Sequence, residues 1–294
     1  MEDLIQKFLS FLQSEKKLSK NTLESYKRDI KDYIAFLNTN ELTILNSTKE
    51  NVEKYIAEEN KQKKTASTIS RHIASLRSFY QYLYSNKLIK ENPMVGIEAP
   101  KIVRKTPQIL SNSQVELLLE QPKPVDLKGK RDKAMLELVY ATGLRVTELI
   151  NLNVDDVDFK SGYIKCVGAK DKQRIIPIGN LARKALDDYI NSAREYMVKD
   201  KKNTSLFVNV TGNRLTRQGF WKIIKYYQEQ ANIDVDITPH TLRHSFAVHL
   251  LENGADIDVI QEMLGHTDKT STQVYMSMTQ NRLKDVYKKA HPRA

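Results

Sequence analysis

In the stretch TPHTLRHSFAVHLLENG, Thr238 suits a helix N-cap and Pro239 the first helical position. His240 and Arg243 then fall within the first turn, where free N–H groups and the helix dipole favour an anion. A histidine beside an arginine at such an end can hold a phosphate. The same pair also suits a capped helix with polar residues on its surface. His240 and His244, four positions apart, could chelate a metal, but no glutamate completes an HExxH arrangement and no cysteine is near. No metal is therefore expected. Two other segments carry candidate groups: TGLRVTELINL sets Arg145 at the start of a helix, and LGHTDKTSTQVYMSM sets His266 nine positions before Tyr275.

The partner for such groups is suggested by charge. The chain of 294 residues has 47 Lys+Arg against 36 Asp+Glu, a formal net charge of +11. A basic surface suits a polyanion, most often nucleic acid, and it also serves solubility. The excess is spread: residues 1–106 hold 19 Lys+Arg against 13 Asp+Glu, a net of +6, which leaves +5 for the remainder. Both halves could touch one long polyanion. No apolar run approaches the ~20 residues that span a bilayer, so no membrane association is expected. The opening MEDLIQKFLSFLQSEKK mixes charge with apolar residues at helical spacing, unlike a signal peptide. A single cysteine, Cys166, excludes an intramolecular disulfide and a thiolate cluster. A cytoplasmic location is the expectation.

The elements that must position these groups fall into two parts. Residues 1–90 read as four helices. Leu4, Ile5, Phe8, Leu9 and Leu12 recur at helical steps, and Leu23, Tyr26, Ile30, Tyr33, Ile34 and Leu37 form a second stripe after Ser19, a candidate N-cap. A third helix is expected near 49–61 and a fourth near 66–85, the latter bearing Arg71 and Arg77 off its apolar face. The aromatics sit at core spacing, so they are read as packing. Residues 91–107 hold three prolines and no period, which predicts a linker. From 108 the pattern is mixed. SNSQVELLLEQ opens a helix, and RDKAMLELVYATG is another that stops at Gly143. YIKCV (163–167) and RIIPI (174–178) flank a short polar loop as a hairpin would, and SLFVN reads as a strand among later helices. The expected fold is mainly α with a small antiparallel β-sheet.

An arginine, a His-x-x-Arg, a later histidine and a tyrosine, in that order on a basic chain, resemble the tyrosine recombinase signature. The segment LSKNTLESYKRDI resembles that family's core-binding domain, and the close AHPRA is similar to the ends of bacterial Xer (XerC/XerD) recombinases. The resemblance covers essentially the whole chain. It implies an N-terminal helical, SAM-like DNA-binding domain over 1–90 and a mixed α/β catalytic domain over 108–294, ending in a protomer-exchange helix. It implies cleavage and rejoining of double-stranded DNA by a tetramer on two sites, of one chain or of two paralogous recombinases, without cofactor or ATP. Chromosome-dimer resolution at a dif-like site, sometimes with a DNA translocase, is the expected role; a mobile-element integrase or a DNA-binding paralogue with impaired catalysis are the alternatives.

Carried over residue by residue, the catalytic set is Arg145, His240, Arg243, His266 and Tyr275. Two guanidiniums can neutralise the non-bridging oxygens of a phosphodiester as charge builds, because they stay charged and present forked donors. Tyr275 is the expected nucleophile, and with an ordinary phenol pKa near ~10 it needs help to ionise. His240 can accept its proton or orient it, and His266 can donate to a phosphate oxygen.

The leaving 5′-oxygen also needs a proton. In the family a hairpin lysine supplies it, as the middle residue of Gly-Lys-Gly, whereas this chain reads Gly168-Ala169-Lys170. Lys170, one place later, is the expected donor. Lys172 is a second possibility, and loss of the donor is a third. Lys172 and Arg174 on this hairpin, with Arg71 and Arg77, are the expected DNA-binding residues.

Overall fold

A computed structural model describes residues 2–102, 107–168 and 172–265. The chain divides into two compact units, residues 1–105 and 106–294.

The first unit is built from α1 (Glu2–Ser14), α2 (Lys20–Thr39), α3 (Lys49–Lys61) and α4 (Ala66–Ser85). Each start has a local cause. The Ser19 and Thr65 hydroxyls accept the backbone N–H groups of Thr22 and Thr68, and Thr48 and Asn51 form a reciprocal cap on α3. Behind the caps the apolar stripes close on one core that includes Phe8, Ile30, Tyr33, Leu76, Phe79 and Tyr80, all fully buried. Tyr33 meets Tyr55 edge-on at 4.9 Å between ring centroids, so the aromatics of this unit are core residues. Within the stretch expected to be a linker, Met94 and Ile97 are buried in the same core, and the Ile97 carbonyl accepts Arg77 Nη2 at 2.6 Å.

The second unit opens with α5 (Asn112–Glu120), capped by Ser111, and α6 (Leu127–Thr142), capped by Asp126. Helix α6 is buried on most of its circumference by Met135, Leu136, Leu138 and Val139, as befits a central helix, and it packs on α5 and on α8 (Asn180–Tyr189). After α7 (Val146–Asn151) comes a three-stranded antiparallel sheet in the order β1 (Val157–Asp158), β2 (Tyr163–Val167), β3 (Gln173–Pro177). Ile164 faces Ile176 and Cys166 faces Arg174 across β2 and β3. Ile164, Cys166 and Ile176 point inward while Tyr163, Val167 and Ile175 are exposed, the period-two pattern that sets register.

Helix α8 continues through a π-turn (Ile190–Arg194) into the short α9 (Glu195–Met197), and then follow α10 (Arg217–Gln230), α11 (Pro239–Glu252) and α12 (Ile257–Leu264). The SLFVN segment does not join the sheet. Leu206, Phe207 and Val208 are buried, but their stretch makes only isolated bridges, Asn153 with Ser205 and Val208 with Arg214. Burial, rather than strand pairing, explains its apolar composition. No described helix is long and apolar enough to cross a membrane.

Candidate active site

Helix α6 ends where Gly143 turns the chain at φ 60°, a left-handed conformation that glycine adopts without strain. Two residues later Arg145 is the N-cap of α7, with its backbone N–H given to Glu148 Oε2 at 2.8 Å and its Nη1 to Glu148 Oε1 at 3.0 Å. Helix α11 starts as the cap chemistry requires: Thr241 N–H donates to Thr238 Oγ1 at 3.1 Å, with Pro239 in the first turn. That start carries His240 and Arg243. Arg243 is buried, donating through Nη1 to the Gly143 carbonyl and through Nη2 to the Leu264 carbonyl at 2.6 Å. The end of α6, the start of α11 and the end of α12 are thus pinned by one side chain.

Arg145, His240 and Arg243 line one cleft of about 630 Å³, together with Arg217 and the sole tryptophan, Trp221, from α10. A larger groove of about 870 Å³ lies among α5, α6 and α8, but it is mainly apolar, and its Lys130 and Lys133 are paired with Asp188 and Glu137. The smaller cleft is therefore the candidate site. Partial desolvation, then the positive charges of Arg243, Arg145 and Arg217, lower the pKa of His240 below its ordinary value. The ring is thereby favoured in its neutral form, which can accept a proton. His244, one turn along, is pushed down to about 4 by burial and by His240 and Arg243.

Glu148 was not singled out by sequence, although an acid three positions after the N-cap of α7 is the pattern of a reciprocal cap. Its carboxylate is buried and bridges two arginines, Arg145 and Arg174. Burial pushes its pKa up, but the Arg174 and Arg145 hydrogen bonds and charges outweigh this and hold it below the ordinary carboxylate value. Arg217 was also missed, because nothing in α10 taken alone distinguishes it from a surface arginine.

The expected DNA-binding residues fare differently. Lys172 is exposed where the hairpin loop enters β3, its carbonyl accepting the Gly168 N–H at 2.8 Å. Arg174 does not project outward as expected: its side chain is 11% exposed because the buried Glu148 carboxylate draws both of its Nη groups inward. Arg71 is ion-paired to the buried Asp29, and Arg77 holds the Ile97 carbonyl. Lys170, His266 and Tyr275 lie outside the described residues. Among the described residues no cluster of His, Cys, Asp or Glu could hold a metal ion. The Cys166 thiol is pushed up to about 11, chiefly by burial, and so is not a nucleophile at neutral pH.

A helical unit precedes a mixed unit in which Arg145, Arg217, Arg243 and a neutral-leaning histidine line one cleft, and comparison with known proteins places the chain among the DNA strand-transferring tyrosine recombinases. Residues 108–282 match the phage integrase family and residues 5–87 match the phage integrase N-terminal SAM-like domain; the chain belongs to this family of site-specific recombinases. It is 48% identical, over the whole of both chains, to the tyrosine recombinase XerD of Oceanobacillus iheyensis. Among solved structures it resembles the XerA recombinase, at 27% identity and TM-score 0.56 over 99% of this chain and 100% of that one. It also shares its fold with the XerH recombinase bound to a palindromic difH substrate, at 20% identity and TM-score 0.75 over 96% of this chain and 82% of that one.

Proposed function

We propose that the enzyme cuts double-stranded DNA by attack of Tyr275 on the scissile phosphate. The Tyr275 Oη–P bond forms as the P–O5′ bond breaks, leaving a 3′-phosphotyrosyl link and a free 5′-hydroxyl. Arg145 and Arg243 bind the non-bridging oxygens, His240 takes the phenol proton, His266 donates to a phosphate oxygen and Lys170 protonates the leaving oxygen. A 5′-hydroxyl from a partner strand reverses the step, so the ester stores the bond energy. The observation that carries this reading is the convergence of Arg145, His240 and Arg243 on one cleft, with the histidine biased toward its neutral form.

The substrate we propose is a dif-like site, resolved during chromosome segregation by a tetramer on two duplexes, alone or with a paralogous recombinase and a DNA translocase. Full-length similarity to proteins named XerD supports the chromosomal role over that of a mobile-element integrase. The test is a denaturing gel of the protein with a nicked duplex carrying the host's dif-like site. A covalent protein–DNA band with wild type and none with Tyr275→Phe is expected; no band with wild type, or a band with the variant, rejects the reading.

A further inference from the structure

Three successive carbonyls at the C-terminus of α12 each receive a different guanidinium. Met263 C=O accepts Arg174 Nε at 2.7 Å, Leu264 C=O accepts Arg243 Nη2 at 2.6 Å, and Gly265 C=O accepts Arg145 Nη2 at 3.2 Å. A helix end leaves its final carbonyls without intrahelical donors and carries the negative end of the dipole, so cations are at home there. Arg145 and Arg243 also face the cleft. Arg174 does not line it.

Arg174 uses its remaining donors on Glu148, Nη1 to Oε1 at 2.9 Å and Nη2 to Oε2 at 2.8 Å. Glu148 in turn holds both the backbone N–H and the Nη1 of Arg145. The guanidinium has little room to move: a Cβ at Gly265 would stand 2.9 Å from Arg174 Nη1, and one at Gly168 would stand 3.2 Å from it. One planar group on β3 therefore joins the hairpin, the N-cap of α7 and the end of α12. A lysine could not replace it, because a single ammonium cannot satisfy a bidentate carboxylate and a carbonyl in one plane.

We propose that Arg174 is a positioning residue of the recombinase reaction. By clamping Glu148 and the end of α12 together it sets Arg145 relative to Arg243, so that both guanidiniums meet one phosphate. The inference rests on the phosphate-binding role proposed above for Arg145, and it replaces the expectation that Arg174 contacts DNA.

The test compares full-length wild type, Arg174→Lys, Glu148→Gln and the double variant in single-turnover adduct formation on the nicked dif-like duplex. Each is assayed with an ordinary scissile phosphate and with a methylphosphonate there, in which a methyl replaces one non-bridging oxygen and removes the charge Arg145 must meet. Arg174→Lys should slow cleavage of the phosphate by about 10–100-fold, the scale expected for misplacing a reacting contact by about 1 Å. DNA affinity and its salt dependence should not change. Most of the loss should vanish on the methylphosphonate, and the double variant should be no slower than the slower single one, since both act through one contact.

The proposal is overturned if Arg174→Lys cleaves at the wild-type rate, or if the loss persists undiminished on the methylphosphonate. It is also overturned if the variant instead weakens DNA binding with a salt slope smaller by about one, the mark of a lost phosphate contact. Should Arg174→Lys unfold below the assay temperature, Glu148→Asp retracts the carboxylate by one methylene, keeps its charge and carries the same rescue prediction. Absence of an adduct with wild type itself rejects the recombinase reading rather than this one.

Discussion

Gly143→Ala tests whether the end of α6 is built as tightly as the site requires. Gly143 sits at φ 60°, and its carbonyl receives Arg243. An added Cβ would lie 2.5 Å from Phe246 Cδ1 and 2.8 Å from Leu264 Cδ2, closer than a methyl can approach either atom. Left-handed backbone costs an alanine about 1 kcal/mol or more, and overpacking a buried contact costs about 1–3 kcal/mol. The variant should therefore lose roughly 2–4 kcal/mol in the second unit. Trp221, the sole tryptophan, lies in α10 of that unit, so its fluorescence during urea unfolding reports the right transition. For a unit of this size the same loss appears as a fall in Tm of about 2–4 °C per kcal/mol. Phe246→Leu, which removes the ring edge, should recover part of the loss in the double variant. A Gly143→Ala midpoint that stays within about 0.5 kcal/mol of wild type, the range of a neutral surface change, would refute the reasoning.

Three further outcomes are expected. Because His240 is held below its ordinary pKa in the free protein, the second-order rate of adduct formation at subsaturating DNA should hold from pH 8 to neutrality and fall in acid, and a midpoint above 6.5 in that pH–rate profile would contradict its role as the neutral acceptor. His244 is pushed down to about 4, so the unfolded chain binds its proton first and stability is lost progressively as pH falls from 6.5 toward 4. Urea melts of wild type and His244→Gln at pH 7 and pH 4.5 check this, and an equal acid loss in both would exclude His244 as its source. For the leaving group, Lys170→Ala should slow cleavage about 10²–10⁴-fold on ordinary DNA and recover on DNA with a 5′-bridging sulfur, which departs without protonation. Recovery of Lys172→Ala instead would move the donor two residues along.

What the sequence made legible is what short-range chemistry decides. The caps at Ser19 and Thr238, the helices at 49–61 and 66–85, and the stop at Gly143 each follow from a side chain or a backbone need within four residues. The hairpin followed from two β-branched runs flanking a short polar loop, and Arg145, His240 and Arg243, singled out through the family resemblance, line one cleft. Glu148 and Arg174 were not readable in the same way. Their partners lie 26 and 89 positions away in Glu148–Arg174 and Arg174–Met263, and no local pattern distinguishes an arginine that faces DNA from one that serves a buried carboxylate. SLFVN failed for a related reason, since a short buried run has strand composition whether or not a partner strand exists. The stretch 91–107 shows the same limit, as Met94 and Ile97 reach the first core without any periodic neighbour.

In the proposed reaction the cationic cleft drives Tyr275 onto a DNA phosphate. Peptide mass spectrometry of the trapped adduct tests it most directly, after nuclease trimming of the DNA to a short remnant. A single modified peptide containing Tyr275, joined to a 3′-phosphate, is expected at full yield with wild type and at much reduced yield with Arg145→Ala or Arg243→Ala. A remnant attached to any other residue, or attached through a 5′-phosphate, would contradict it.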